Sequence, residues 1–217
     1  MEDFRGLKES EEFTAVTEIE LAKPSSFLFQ SGYLTVREKN GQLLTLDYPN
    51  MEVLSSVALL FMTGGYQNER GSVIGLELQQ AIKGTNPAGA IVEAYRRVLA
   101  AIPHDIYDRE EKKRGEAFYH ALLLVMLWSS RISTRAESHS YKGRSDVEIE
   151  YRDKVYIIEL KTTEGKDACE RAADEALGQI KAKGYADKYD LAKVTLIGLA
   201  VDKAERQVGA VRVVAAV

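Results

Sequence analysis

The sequence has little of several features that mark whole classes of proteins. Its single cysteine, Cys169, excludes an internal disulfide and a multi-cysteine metal cluster. The longest uninterrupted apolar run covers only residues 121–128, whereas a membrane-spanning helix needs roughly 18 such residues, so we expect no membrane association. The acidic N-terminus has no apolar stretch behind it and is not typical of a signal peptide. These absences favour a protein of the reducing cytoplasm.

A strong charge of one sign is also missing. The 217 residues carry a formal net charge of −4, with 45% apolar and 29% charged residues, as is usual for a globular protein. Residues 1–108 hold 9 Lys/Arg and 15 Asp/Glu, a net −6, while residues 109–217 hold 20 and 18, a net +2. Neither part is basic enough to indicate a nucleic-acid partner by charge alone. The change of sign predicts two segments with different roles.

Residues 1–108 are predicted to be a mainly helical accessory or linker region. Two β-rich runs around Asn40-Gly41 predict a β-hairpin near residues 33–46. The acidic residues 7–22 are expected to be helical or poorly ordered. A serine after Pro24 is expected to cap a short helix. Further helices are expected over residues 51–62, 72–83 and 87–102, the last ending at Pro103. No catalytic motif is found in this region.

Residues 109–217 show a different pattern, in which helices alternate with strand-like runs. The order α-β-β-β-α-β-β predicts an α/β fold with a mixed sheet flanked by helices. The first helix runs through Ser129 and is apolar nearly all round, so it should be buried. The following elements are expected at residues 132–140, 146–151, 154–160, 166–183, 194–201 and 208–217.

The register of one predicted hairpin can be worked out from its turn. If Arg152-Asp153 forms a two-residue turn, paired positions sum to 305 and Asp146 faces Glu159. Directly opposed residues have Cβ atoms about 4.5–5.5 Å apart. Because side chains alternate along a strand, Lys161 lies on the same face as Glu159.

Two opposed carboxylates repel each other unless a positive charge compensates them. One solution is a hard divalent cation, Mg²⁺ or Mn²⁺, which one or two carboxylates hold together with water and substrate phosphate. Lys161 could then position an attacking water. The alternative is a structural cluster on the sheet face, in which Lys161 simply neutralises Asp146 and Glu159. The charges alone leave both open.

The motif itself resembles a known one. Asp146, twelve intervening residues and then Glu159-Leu160-Lys161 is similar to the signature of the PD-(D/E)XK nuclease superfamily. An acidic residue at the head of the preceding helix, here Glu116, and a Gln in the following helix, here Gln179, strengthen the resemblance. It covers about residues 110–217 and implies a restriction-endonuclease-like core.

The resemblance also implies roles for individual residues. Asp146 and Glu159 would be metal ligands, Lys161 would orient the nucleophilic water, and Glu116 would assist the metal through water. Gln179 would position Lys161 or a phosphate. Each residue also has a structural alternative: Glu116 as a carboxylate favoured at a helix start, and Gln179 as a solvent-facing residue.

Two further residues are predicted to contact nucleic acid. Arg144 could touch a phosphate or pair with a carboxylate. Tyr185, six residues after Gln179, could contact nucleic acid or pack beside the helix end.

A second resemblance covers nearly the whole chain. Residues 26–35 (SFLFQSGYLT), residues 48–53 (YPNMEV) and Gly143-Arg144-Ser145-Asp146 are similar to segments of bacterial AAA-ATPase-like proteins with a C-terminal PD-(D/E)XK domain. The ATPase domain of that group is not in this sequence, so we expect no ATP hydrolysis. The resemblance implies an AAA-ATPase-like domain or partner, and residues 1–108 could connect to it, bind substrate or form a homo-oligomer.

The leading hypothesis is a Mg²⁺-dependent nuclease that hydrolyses phosphodiester bonds of nucleic acid, with DNA as the expected substrate. The alternative is a catalytically silent module of the same fold, which binds a partner and is coupled to an AAA-ATPase-like protein.

Overall fold

A computed structural model describes residues 5–15, 23–67, 70–140 and 143–216, and the side chains of residues 14, 15, 72, 114 and 135–146 lie outside the described part. The chain divides into two compact units, Met1–Val57 and Ala58–Val217. The second unit thus begins fifty residues before the predicted change of role at residue 108. The reason is that helices before residue 108 pack with the C-terminal sheet and its buried helix.

The first unit contains a three-stranded sheet. Its strands are β1 (Leu7–Ser10), β2 (Thr35–Asn40) and β3 (Leu43–Asp47), in the order β1-β3-β2. β2 and β3 form an antiparallel hairpin in which Asn40 pairs with Leu43, and Gly41 in the loop has φ +60°. The prediction of helix or disorder is wrong for residues 7–10, because their backbone pairs with β3.

The short helix α1 (Pro24–Gln30) begins at Pro24, before the serines that were predicted to cap it, and no serine caps it. Its N-cap is Lys23, which makes no side-chain capping bond. Ser25 and Ser26 are buried inside the helix instead, and the Ser25 hydroxyl donates to the Glu9 carboxylate at 2.9 Å. The serines therefore join α1 to the neighbouring segment.

The second unit is built on a five-stranded mixed sheet. Its strands lie side by side in chain order, and only the β6–β7 pair is parallel. This architecture confirms the predicted α/β fold with a mixed sheet and is consistent with a restriction-endonuclease-like core. The strands are β4 (Ser133–Ser140), β5 (Gly143–Tyr151), β6 (Lys154–Thr163), β7 (Val194–Asp202) and β8 (Gln207–Ala215).

The predicted register of the β5–β6 hairpin is confirmed over its five observed pairs, which run from Val147 opposite Ile158 to Tyr151 opposite Lys154. Arg152 and Asp153 form the two-residue turn. Arg152 has φ +55°, the left-handed conformation that two-residue hairpin loops require.

The described part of the chain forms six further α-helices. They are α2 (Met51–Leu60), α3 (Gly71–Ala81), α4 (Pro87–Ala100), α5 (His104–Arg114), α6 (Glu116–Ser129) and α7 (Lys166–Ala182), with a π-helical turn at Phe61–Gly65 after α2. α5 was not predicted as a separate helix, because Pro103 was interpreted only as the end of α4. Pro103 is in fact the N-cap of α5, and Gly115, with φ +54°, separates α5 from α6.

The sheet has helical cover on more than one side. α7 packs across β6, β7 and β8, and its Ile180 meets Val155 and Ile157 of β6 in a buried cluster. The alternate residues Tyr156 and Ile158 point to the other face and are also buried. α6 contacts β4 and β6, and α4 contacts β8. Among the described helices, none has both the length and the apolar character needed to cross a bilayer.

Candidate active site

The site is centred on the second half of β6, where a glutamate and a lysine share one face. Glu159 is 1% exposed, and its Oε1 lies 3.8 Å from Nζ of Lys161, whose side chain is 31% exposed. Glu159 stands next to Gly198 of the parallel strand β7. The structure therefore brings the predicted Glu-x-Lys pair together, with the carboxylate inside the protein and the ammonium at its surface.

Gln179 reaches this carboxylate from α7, since its side-chain amide donates a hydrogen bond to Glu159 Oε1. The close approach of α7 depends on small residues. The helix presents Ala173 to the sheet, and Gly198 has no side chain in the way. A Cβ atom at position 198 would overlap the Ala173 carbonyl oxygen and lie 2.8 Å from the Leu177 nitrogen.

Glu116 enters the site from α6, of which it is the first residue. Its Oε2 accepts hydrogen bonds from the backbone N–H and the hydroxyl of Thr162, both at 3.2 Å, which ties the head of α6 to the end of β6. His120 Nε2 lies 3.8 Å from its other oxygen. The neighbouring His120 side chain is the largest cause of the lowered pKa of Glu116, helped by the Thr162 amide and the charge of Lys161 and opposed by partial burial.

Asp146 and Arg144 belong to β5, but their side chains lie outside the described part. Position 146 directly precedes Val147, which pairs with Ile158, so the predicted juxtaposition of Asp146 and Glu159 stays a prediction.

Tyr185 is described and is only 2% exposed. It packs in the core cluster with Val155, Ile157 and Ile180. Direct contact with nucleic acid would require this ring to leave the core.

The structure also reveals a buried glutamate that the sequence analysis missed. Glu148 of β5 is 1% exposed. One of its carboxylate oxygens lies 2.9 Å from Lys188 Nζ and accepts a hydrogen bond from the Tyr189 hydroxyl at 2.8 Å. The period of two along β5 could have placed Glu148 on the face of Glu159. No sequence pattern connects it to Lys188 and Tyr189, forty residues away.

The donor set suits a hard cation. Carboxylate oxygens are the ligands that Mg²⁺ takes in proteins, and one or two of them suffice when water and substrate phosphate complete the shell. Glu159 supplies one such carboxylate on a rigid strand, and Glu116 lies near the same lysine. Among the side chains that the structure describes, no three His, Cys, Asp or Glu residues are grouped to enclose an ion.

Comparisons with known proteins agree with this geometry. Residues 114–211 match the sequence model of the PD-(D/E)XK nuclease superfamily. A protein of Azotobacter chroococcum mcd 1, described as the uncharacterized protein in the vnfD 5′ region, is 30% identical over 178 residues, which cover 76% of this chain and 32% of that protein. The chain thus spans about a third of the length of this relative. The matched segment contains Glu116, Glu159, Lys161 and Gln179, and it is similar to the PD-(D/E)XK nuclease superfamily.

Proposed function

We propose that this chain is a metal-dependent nuclease that hydrolyses phosphodiester bonds of nucleic acid, with DNA as its substrate. The observation that carries the proposal is the meeting of Glu159, Lys161 and Gln179 on one sheet face, inside the segment that matches a nuclease superfamily. A buried carboxylate with a half-exposed ammonium beside it is suited to holding a cation against a substrate.

In this proposal Asp146 and Glu159 would hold Mg²⁺. If the observed β5–β6 register continues by one pair, position 146 stands opposite Glu159. The metal, when bound, supplies Lewis-acid activation of water and neutralises charge on the leaving oxygen. The chain's own groups do the rest of the positioning.

Lys161 would act on the water and on the phosphate. Its ammonium is close enough to Glu159 to be held in place and exposed enough to meet a substrate. A fixed positive charge aimed at the scissile phosphate stabilises the negative charge that develops in the transition state. Gln179 keeps the Glu159 carboxylate oriented, and Glu116 would assist the metal through water at the same edge of the sheet. Arg144 remains a proposed contact to nucleic acid, whereas Tyr185 is buried in the core and is no longer proposed as one.

A silent binding module, coupled to an AAA-ATPase-like domain or partner, is the second candidate. The observation that favours it is that Glu159 Oε1 already faces both the Gln179 amide and the Lys161 ammonium. Such an arrangement can also neutralise a buried carboxylate without any metal.

Calorimetric titration with Mn²⁺ and Mg²⁺ distinguishes the two candidates without knowledge of the substrate. The nuclease proposal predicts saturable binding by the wild type and its loss in Asp146→Asn and Glu159→Gln. Asp153→Asn, in the exposed β5–β6 turn, is the matched control and should bind as the wild type does. Wild-type binding would be followed by cleavage assays on duplex DNA, single-stranded DNA and RNA.

Equal behaviour of all four proteins, with no binding at millimolar metal and no cleavage of any substrate, would reject the nuclease. If the wild type binds metal but cleaves no substrate, and the two site variants do not bind metal, the chain is a metal-binding module without catalytic activity.

A further inference from the structure

The Glu148 cluster, defined as Glu148, Lys188 and Tyr189, lies beside the proposed metal site but has no role in it so far. The Glu148 carboxylate is buried and has two polar contacts. Lys188 Nζ lies 2.9 Å from it, and the Tyr189 hydroxyl donates a hydrogen bond to it at 2.8 Å. Lys188 Nζ also lies 5.1 Å from the centroid of the Tyr189 ring, which favours the same position of the ammonium. Among the described side chains, Lys188 thus places a positive charge against this buried carboxylate.

The register places residue 148 diagonally across from Glu159. Glu148 pairs with Ile157, and Glu159 is two residues further along the same face of β6. Diagonal neighbours of this kind are separated by about 7–8 Å, within reach of long side chains. Glu148 is also two positions from Asp146 in β5. Without Lys188, Glu148 would be a third carboxylate beside the two proposed metal ligands.

Resting on the proposed nuclease function, we propose that Lys188 takes the place of a second divalent cation and restricts the site to one metal ion. Two-metal sites hold their ions about 3.5–4 Å apart and need additional carboxylates to do so. Among the described carboxylates, Glu148 is the one whose strand position is nearest to Glu159, so it is the candidate for the additional ligand. The Lys188 ammonium and the Tyr189 hydroxyl both contact Glu148 Oε2, and these contacts withhold the carboxylate from the metal. Lys188 is therefore a specificity-determining residue for metal stoichiometry and not a catalytic residue.

Three site variants and two comparison variants test this assignment with Mn²⁺. Calorimetry measures the stoichiometry, and electron paramagnetic resonance detects the coupling of two neighbouring Mn²⁺ ions. Lys188→Met removes the charge but keeps a long side chain, and we expect it to bind two ions where the wild type binds one. Glu148→Gln should leave wild-type binding unchanged within about twofold. The double variant should return to one ion.

Lys193→Met, which breaks an exposed lysine–aspartate contact at 3.8 Å, is the matched control and should bind one ion. Arg135→Met is a second comparison, because residue 135 of β4 is the strand partner of Glu148 in β5. A second ion in Arg135→Met but not in Lys188→Met would overturn the assignment to Lys188.

The outcomes separate this inference from the proposed function. A wild type that binds no Mn²⁺ rejects the metal site itself and this inference with it. One ion in the wild type and one ion in a folded Lys188→Met overturn only the inference. If Lys188→Met does not fold, the Mn²⁺ affinity of Glu148→Gln decides. A loss of tenfold or more relative to the wild type would show that Glu148 is a ligand and overturn the inference. An unchanged affinity supports it.

Discussion

The side-chain amide of Gln179, in α7, donates a hydrogen bond to the carboxylate of Glu159, in β6, which is almost completely buried. Removing an ionised carboxylate from water is unfavourable unless hydrogen bonds and charges replace the water. Gln179 supplies a hydrogen bond and Lys161 supplies a charge. The relationship explains how the centre of the candidate site is kept inside the protein, and it gives α7 a role beyond covering the sheet.

The first prediction concerns Gln179. Gln179→Leu leaves the buried Glu159 oxygen without this donor, and we expect a loss of about 1–3 kcal/mol in the free energy of unfolding. Urea denaturation at neutral pH measures it. The same substitution at Gln80, exposed in α3, should change stability by no more than about 0.5 kcal/mol. Equal effects at both positions would contradict the importance of the Gln179–Glu159 bond.

The second prediction compares two glycines of the second unit. Gly198→Ala places a Cβ atom against the backbone of α7, and forced overpacking typically costs about 1–3 kcal/mol. Gly178→Ala, within α7, meets nothing within 4 Å and should stabilise the helix by about 1 kcal/mol. Thermal and urea unfolding should therefore show opposite signs. A stabilising Gly198→Ala would mean that α7 does not approach β7 as closely as described.

The third prediction is a pH dependence at Glu116. Its pKa is lowered from 4.5 in the folded state, chiefly by the neighbouring His120 side chain. A lowered folded pKa contributes stability above the unfolded pKa, and this is lost as the pH falls through the folded pKa. The stability difference between wild type and Glu116→Gln should therefore shrink below pH 4.5. Urea denaturation between about pH 5 and pH 3 measures it, with Glu175→Gln on the exposed side of α7 as the control for loss of one charge.

The fourth prediction concerns alkaline stability. Burial raises the pKa of Tyr107 to about 12, although the hydrogen bond to Tyr119 works in the opposite direction. A raised pKa gives stability that is fully present below the unfolded value of 10.0 and is lost as the pH rises towards 12. Tyr107→Phe should be less stable at pH 7 by about 0.5–1.5 kcal/mol, since the 3.0 Å bond to the Tyr119 hydroxyl is gone.

Between pH 10 and 12, however, Tyr107→Phe should lose less stability than the wild type. Tyr33→Phe, at a side chain that is 37% exposed, is the control. An identical alkaline slope for wild type and Tyr107→Phe would rule out this explanation.

The parts of the site that depend on local rules could be predicted from the sequence. The β5–β6 register follows from the Arg152-Asp153 turn and from strand alternation, and these also place Lys161 on the face of Glu159. Short-range geometry of this kind is fixed by a few neighbouring residues.

The parts that depend on long-range packing could not be predicted. Lys188 and Tyr189 lie in the segment after α7, and only the folded chain brings them to Glu148. α5 was missed because it is highly charged and has little apolar periodicity. The extent of the second unit was missed because α4 packs against β8, and neither of these two sequence segments contains a pattern that predicts this contact.

The parallel pairing of β6 with β7 has a consequence for the order in which the chain is made. Glu159 leaves the ribosome well before Gly198, its neighbour in β7, and the connection between them must first fold as α7. Parallel strands need such a long crossover, and contacts distant in sequence form late. The nascent chain therefore carries the glutamate and the lysine of the site for some time without the strand on which α7 rests. The protein should complete its site only after β7 has been synthesised.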